Sequence, residues 1–213
     1  MDKQDNKHNL ALLLLVAIFS GSLVISQILA VKIVSWHGVV FPAGVIAYSI
    51  TFIVTDVLSE VFGKKVAQYA VWAGFATVLV CLLLIYAALS LPAASFWTGE
   101  KSFERVLLFT PRIIVASLLA YVISQVHDVW AFHFWKKITK GKHLWLRNNL
   151  STIVSQLIDT STFIFVAFGG GDFVLNLIWG QFLVKMSIAL LDTPLVYLLV
   201  GWLNATPNLV KQE

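Results

Sequence analysis

Six stretches of this chain, at about residues 10–34, 40–61, 66–91, 112–135, 149–168 and 173–203, are long and apolar enough to cross a lipid bilayer. Hydrocarbon holds no water to satisfy backbone N–H and C=O groups, so a spanning segment must satisfy its own, which an α-helix of about 20 residues does. The expectation is an all-α polytopic membrane protein of about six transmembrane helices, forming one transmembrane domain over residues 1–213. Composition agrees with that class. Hydrophobic residues make up 59% and charged residues 12%, where a soluble domain is about a quarter charged, and mean hydropathy is +0.84.

Punctuation and charge order the spans. Pro42 suits the first turn of the second helix, Pro92 follows the third, Pro111 precedes the fourth, and Gly169, Gly170 and Gly171 turn the chain between the fifth and sixth. Pro194 alone lies inside a span, where it predicts a kink. Ten Lys and Arg residues fall on one side (Lys3, Lys7, Lys64, Lys65, Lys136, Lys137, Lys140, Lys142, Arg147, Lys211) and four on the other (Lys32, Lys101, Arg105, Arg112). The positive-inside rule then places both termini and the loop from Lys136 to Arg147 in the cytoplasm. Trp36, Trp97, Trp135, Trp145 and Trp202 lie near span ends, as interface anchors do. The pI of about 9.2 is explained by these topogenic loops, which also meet anionic headgroups, so no nucleic-acid partner is expected. The first span is too long for a signal-peptide core and reads as retained. The single cysteine, Cys81, excludes an internal disulfide and a cysteine-based metal site.

Against this apolar background one polar word occurs twice, Ser124-Gln125-x-x-Asp128 and Ser155-Gln156-x-x-Asp159, each with a Phe four residues beyond the Asp. A carboxylate near the middle of a bilayer costs roughly 2.5–3.5 kcal/mol even on the lenient insertion scale, so it serves a polar site or pathway more often than packing. Asp56, Glu60 and Asp192 add to the set, and Lys185 supplies a cation. Helical spacing puts Asp56 with Glu60, Gln125 with Asp128, Gln156 with Asp159, and Lys185 with Asp192 on shared faces. At about 1.5 Å rise per residue, Asp56, Asp128, Asp159 and Asp192 all reach the zone between mid-bilayer and the cytoplasmic boundary, with Lys185 near the centre. These groups are expected to converge, with Lys185 paired to Asp159 or Asp192. The bland alternative is helix-binding glue, since interhelical hydrogen bonds average only about 0.6 kcal/mol. That suits a lone Ser or Gln better than four carboxylates and a lysine.

The motifs of an enzyme are missing. There is no His-Glu-x-x-His pair, no Gly-x-Ser-x-Gly elbow and no phosphate-cradling Gly-rich loop with its lysine. His127 and His133 stand six apart, which does not set two imidazoles on one helix face, so neither a metal nor a cofactor is expected. His127 beside Asp128 leaves a proton-linked step open. Leu144 to Thr152 gathers a Trp, an Arg and two amides at a helix start, more than capping requires.

Several of these residues together resemble the queuosine precursor transporters, part of the broad vitamin-uptake-like group that also holds the substrate-binding components of energy-coupling-factor transporters. The likeness covers roughly residues 41–194. It rests on the run from Thr55 to Lys65, on Arg112 with Ser117 and Ala120, on Gln125, Asp128 and Val129, on the Leu144 to Thr152 cluster, on Gln156, Asp159 and Thr160, and on Lys185. It departs at Gln68, where a basic residue is expected, and does not reach the first span, so Gln27 receives no role from it. The resemblance implies a six-helix inner-membrane importer of 7-deazaguanine bases, the 7-cyano or 7-aminomethyl precursors of queuosine in tRNA. Its implied substrate-binding residues are Asp56, Gln125, Asp128, Asp159 and Lys185, to which the residue reading adds Gln156 and Asp192. A guanine-like base presents a ring N–H beside an exocyclic amine, which one carboxylate can accept together, while an amide meets the carbonyl edge. Asp128 or Asp159 is the expected reader. The alternative function is a substrate-binding subunit for another vitamin or nucleobase-like ligand, needing a separate ATP-driven coupling partner. A homo-oligomer and the mode of energy coupling stay open.

Overall fold

A computed structural model describes the backbone over residues 3–138 and 144–204, with side chains described there except at 3–7, 125, 128, 129, 132, 133, 135–138, 144–152, 190, 192, 193, 203 and 204. The element order is α1 (Lys3–Leu29), β1 (Ile33–Trp36), β2 (Val39–Pro42), α2 (Gly44–Val61), α3 (Lys64–Ser90), α4 (Glu100–Leu107), α5 (Thr110–Ile138), α6 (Leu144–Phe168) and α7 (Val174–Asn204). Helices dominate, as an all-α membrane protein requires. Among the described residues, stretches 8–29, 44–61, 64–90 and 100–124 have the length and apolarity to cross a membrane. A fifth is α7, if its halves Val174–Ala189 and Pro194–Trp202, bent by 41°, count as one span. Pro194 removes a backbone donor at that bend. The described apolar part of α6 is the shorter Ile153–Phe168, so four or five spans are found among the described residues, where the sequence predicts six over the whole chain.

The segment between the first two helices differs from expectation. The first helix stops at Leu29 rather than reaching residue 34, and an antiparallel hairpin pairs Ile33 with Pro42 and Trp36 with Val39. Its two-residue loop is His37-Gly38, with φ of 48° and 83°. Positive φ at both central residues is what a type I′ turn needs to match strand twist. Pro42 therefore ends β2, and α2 begins at Gly44. A second unpredicted element is α4, with Glu100 in its first turn and Arg105 in its last, complementing the helix dipole.

Small residues set the close approaches. A Cβ at Gly180 on α7 would lie 1.9 Å from the Val40 carbonyl oxygen, so β2 rests directly on the α7 backbone. At Gly44 a Cβ would lie 2.3 Å from the Ser26 carbonyl oxygen, which brings α2 against α1. Without a hydrophobic force between helices in lipid, such fits are a main source of helix association. On α3 the buried face is small (Ala67, Ala70, Gly74, Val78), whereas Leu79, Val80, Leu83 and Leu84 point outward. An apolar exterior of this kind suits acyl chains. Phe19, Leu23, Val54, Leu58 and Ile114 join the small α3 residues in one core, and Ile164, Leu177 and Ile178 make another where α6 meets α7. At the hairpin end of the bundle, Arg112 Nε donates to the Val166 carbonyl at 2.7 Å, satisfying a last-turn carbonyl of α6.

Candidate functional site

Each helix that lines the centre does so with one face. On α7 the buried positions Val174, Leu177, Ile178, Gln181 and Lys185 recur at helical spacing. The lower part of that stripe is polar. Lys185, 3% exposed, places Nζ 2.6 Å from Oδ2 of Asp159 on α6, whose side chain is 15% exposed. Pairing removes the cost of an isolated ammonium in this setting. Ser124 on α5 reaches the other carboxylate oxygen, Oγ to Oδ1 at 3.3 Å, while its shorter contact, 3.0 Å, is to the Tyr121 carbonyl. Lys185 Nζ also lies 5.7 Å from the centroid of the Tyr48 ring on α2, within cation–π range.

This ion pair borders a small cavity of about 40 Å³ that is partly open to the outside. Ser26 and Gln27 line it from α1 and Ala30 from just beyond it, and Pro42, Gly44, Val45 and Tyr48 from the hairpin and the start of α2. Ile113, Ser117 and Ala120 close it from α5, Asp159 and Phe163 from α6, and Gln181 and Lys185 from α7. The cavity thus occupies the hairpin half of the bundle. Asp159 stands nine residues before the end of α6 and Lys185 eleven beyond the start of α7. At about 1.5 Å per residue both are roughly 14–17 Å deep, close to the middle of a bilayer core of about 30 Å.

The duplicated polar word acquires a geometric meaning here. Helices α5 and α6 pack side by side, and their antiparallel register sets Ser124 of the first copy against Asp159 of the second. One turn further along, His127 Nδ1 and Ser155 Oγ share a hydrogen bond of 3.0 Å. The two copies therefore meet along one seam, at Ser124–Asp159 and His127–Ser155.

Of the seven residues expected to bind substrate, Asp159 and Lys185 line the cavity. Gln156 does not, and its Oε1 is buried without a protein partner. Asp56 is exposed and lies about 12 Å further along α2 than Tyr48. There it lines a separate cleft with Ser59, Glu60, Val196, Tyr197 and Val200. Among the described residues, the expected convergence of Asp56 on Lys185 is therefore replaced by two separate sites. The side chains of Gln125, Asp128 and Asp192 lie outside the described residues. Sequence reading missed Tyr48, Ser26 and Gln181, and left Gln27 without a role. Gln181 carried a legible signal, one turn before Lys185 on the same face; Tyr48 in an apolar helix reads as ordinary core. Among the described residues no three His, Cys, Asp or Glu side chains are grouped to hold a metal ion.

A family model described as "putative vitamin uptake transporter" matches residues 42–199. The chain belongs to that family. Among relatives of this chain, a protein of Bacillus subtilis named a probable queuosine precursor transporter is 35% identical over 178 residues, covering 82% of this chain and 78% of the relative. The queuosine precursor transporter of Escherichia coli is 30% identical over 125 residues, 59% of this chain and 54% of that protein. A probable queuosine precursor transporter of Haemophilus influenzae is 28% identical over 125 residues, 59% of this chain and 51% of that protein. No solved structure matches the chain significantly.

Proposed function

We propose that this multi-pass membrane protein is a transporter, not an enzyme, and that it imports queuosine precursors, 7-cyano-7-deazaguanine or 7-aminomethyl-7-deazaguanine, for tRNA modification. The observation that carries the reading is the 35% identity, over 82% of the chain, to a probable queuosine precursor transporter. The cavity chemistry supports it. Lys185 and Asp159 neutralise each other, which favours the uncharged 7-cyano base over the 7-aminomethyl base, a cation at neutral pH. Asp159 accepts one contact at each oxygen, and a carboxylate offers about four acceptor positions, so capacity remains for the adjacent N–H groups of a guanine-like edge. Phe163 and Tyr48 supply aromatic surface to a planar ring.

The charge distribution supports an orientation in the cytoplasmic membrane with both termini inside and the hairpin outside. The cavity then occupies the outer half of the bundle, reached first by a substrate arriving from outside. Ser124, His127 and Ser155 continue a polar seam inward from Asp159 along α5 and α6, a route for release once those helices part. Asp128 and Gln125 belong to the same stretch of α5 and are proposed as further substrate contacts. The test is complementation in cells that cannot make the base. Expression of this chain alone, with 7-cyano-7-deazaguanine supplied outside, restores queuosine in tRNA. Failure with the protein present in the membrane would point to another ligand or to a separate ATP-driven module.

A further inference from the structure

Two side-chain carbonyls belonging to cavity-lining residues are buried with no hydrogen-bond partner among the described residues, Gln27 Oε1 on α1 and Gln181 Oε1 on α7. The residues are 4% and 5% exposed. A buried acceptor without a donor bears its full desolvation penalty, so native structures keep few of them and each has a reason. Packing supplies none here, since Leu or Met fills the same volume without the penalty. The setting of Gln27 is specific. Its Nε2 donates to the Leu23 carbonyl at 3.3 Å and to Ser26 Oγ at 3.2 Å, which ties the amino end to its own helix and leaves Oε1 as the free end. Gln181 lies one turn before Lys185, so its amide shares the cavity with the ion pair.

We infer that Gln27 and Gln181 determine the specificity of this site, each accepting a hydrogen bond from an N–H group of a planar, neutral ligand. The inference rests on the functional reading above and adds which edge of the base is read, and from which helices. With the ring N–H and one amine N–H taken by Asp159 in the reading above, these two carbonyls call for the remaining donors of such a base, the second N–H of its exocyclic amine and the N–H of its five-membered ring. A base carrying hydrogen in place of that amine would leave one carbonyl buried and unpaired. Sites built around such a hydrogen bond reject the analogue lacking it far more strongly than an apolar pocket rejects a missing methylene.

The test is equilibrium binding to the purified full chain in lipid nanodiscs, with two probes, 7-cyano-7-deazaguanine and its 2-desamino counterpart, 7-cyano-7-deazahypoxanthine. Wild type prefers the amino base by about tenfold or more. Gln27→Met and Gln181→Met each weaken the amino base by about tenfold, and the variant that loses the amine contact brings the two affinities to within about threefold of each other. Because Kd is read on the folded fraction, partial misfolding alters the number of sites and not the ratio, and Gln→Leu at the same positions provides a second pair of variants. Equal wild-type affinity for both bases, or Met variants that bind both as wild type does, would overturn the inference. Wild-type binding of neither base would instead overturn the functional reading beneath it.

Discussion

Removing the Asp159 carboxylate strands the Lys185 ammonium in a nearly solvent-free position, 3% exposed. Breaking a buried pair from one side costs up to about 3–5 kcal/mol, whereas replacing both partners together costs much less. Asp159→Asn is therefore expected to lower thermal stability in detergent and abolish uptake while the protein still inserts. Asp159→Asn with Lys185→Gln should regain most of the stability and none of the transport. Stability falling equally in the single and double variants would remove the pair from the structural account. At this scale much was readable beforehand: a lone Lys and a carboxylate in apolar helices need each other. That Asp159 sits beside Lys185 was not readable, since Asp192, two turns along α7, was an equal candidate and only the packing of α6 on α7 brings Asp159 to the ammonium.

Helix α7 meets the hairpin through Gly180, close to the cavity wall at Pro42, and α2 meets α1 through Gly44. Gly180→Ala places a methyl group where the Val40 carbonyl oxygen now lies, 1.9 Å from the ideal Cβ. The hairpin must lift, and uptake should fall at least about tenfold, equivalent to about 1.4 kcal/mol of lost productive state. Gly21→Ala is the control. Its Cβ meets nothing within 4 Å, and Ala is about 1 kcal/mol better than Gly in a helix, so uptake and stability should be unchanged or better. Within the hairpin, His37→Val puts a β-branched residue at a φ of 48° and should destabilise by about 1–2 kcal/mol, read as a lower thermal midpoint. The strands went unseen because their residues, Ile33 to Trp36 and Val39 to Pro42, are as apolar as the spans beside them. Hydropathy assigned Ile33, Val34 and Val40 to Pro42 to helix ends and left Ser35, Trp36 and Val39 in the connection between them. The His37-Gly38 pair between β-branched runs was the available signal. The polar face of α4 left it outside every hydropathy peak for the opposite reason.

Across the whole molecule, charge asymmetry predicts termini inside and hairpin outside. In a background with Cys81→Ala, Ser35→Cys in β1 should react with a membrane-impermeant maleimide added to intact cells, while a cysteine placed at Lys64 should react only after the membrane is opened. The reverse pattern would turn the molecule over and put the cavity in the inner half. The membrane class was legible from composition alone, because lipid leaves so few backbone solutions. The cavity was not, because it depends on how six elements pack, and α1 joins it through Gln27 without any residue that the family likeness reached. The central claim is that the Lys185–Asp159 cavity carries the substrate. It is tested most directly by accumulation of labelled 7-cyano-7-deazaguanine in cells unable to make it, comparing wild type with Asp159→Asn at matched membrane levels. Accumulation by wild type with the variant at background is the predicted result; import by the variant at the wild-type rate would contradict it.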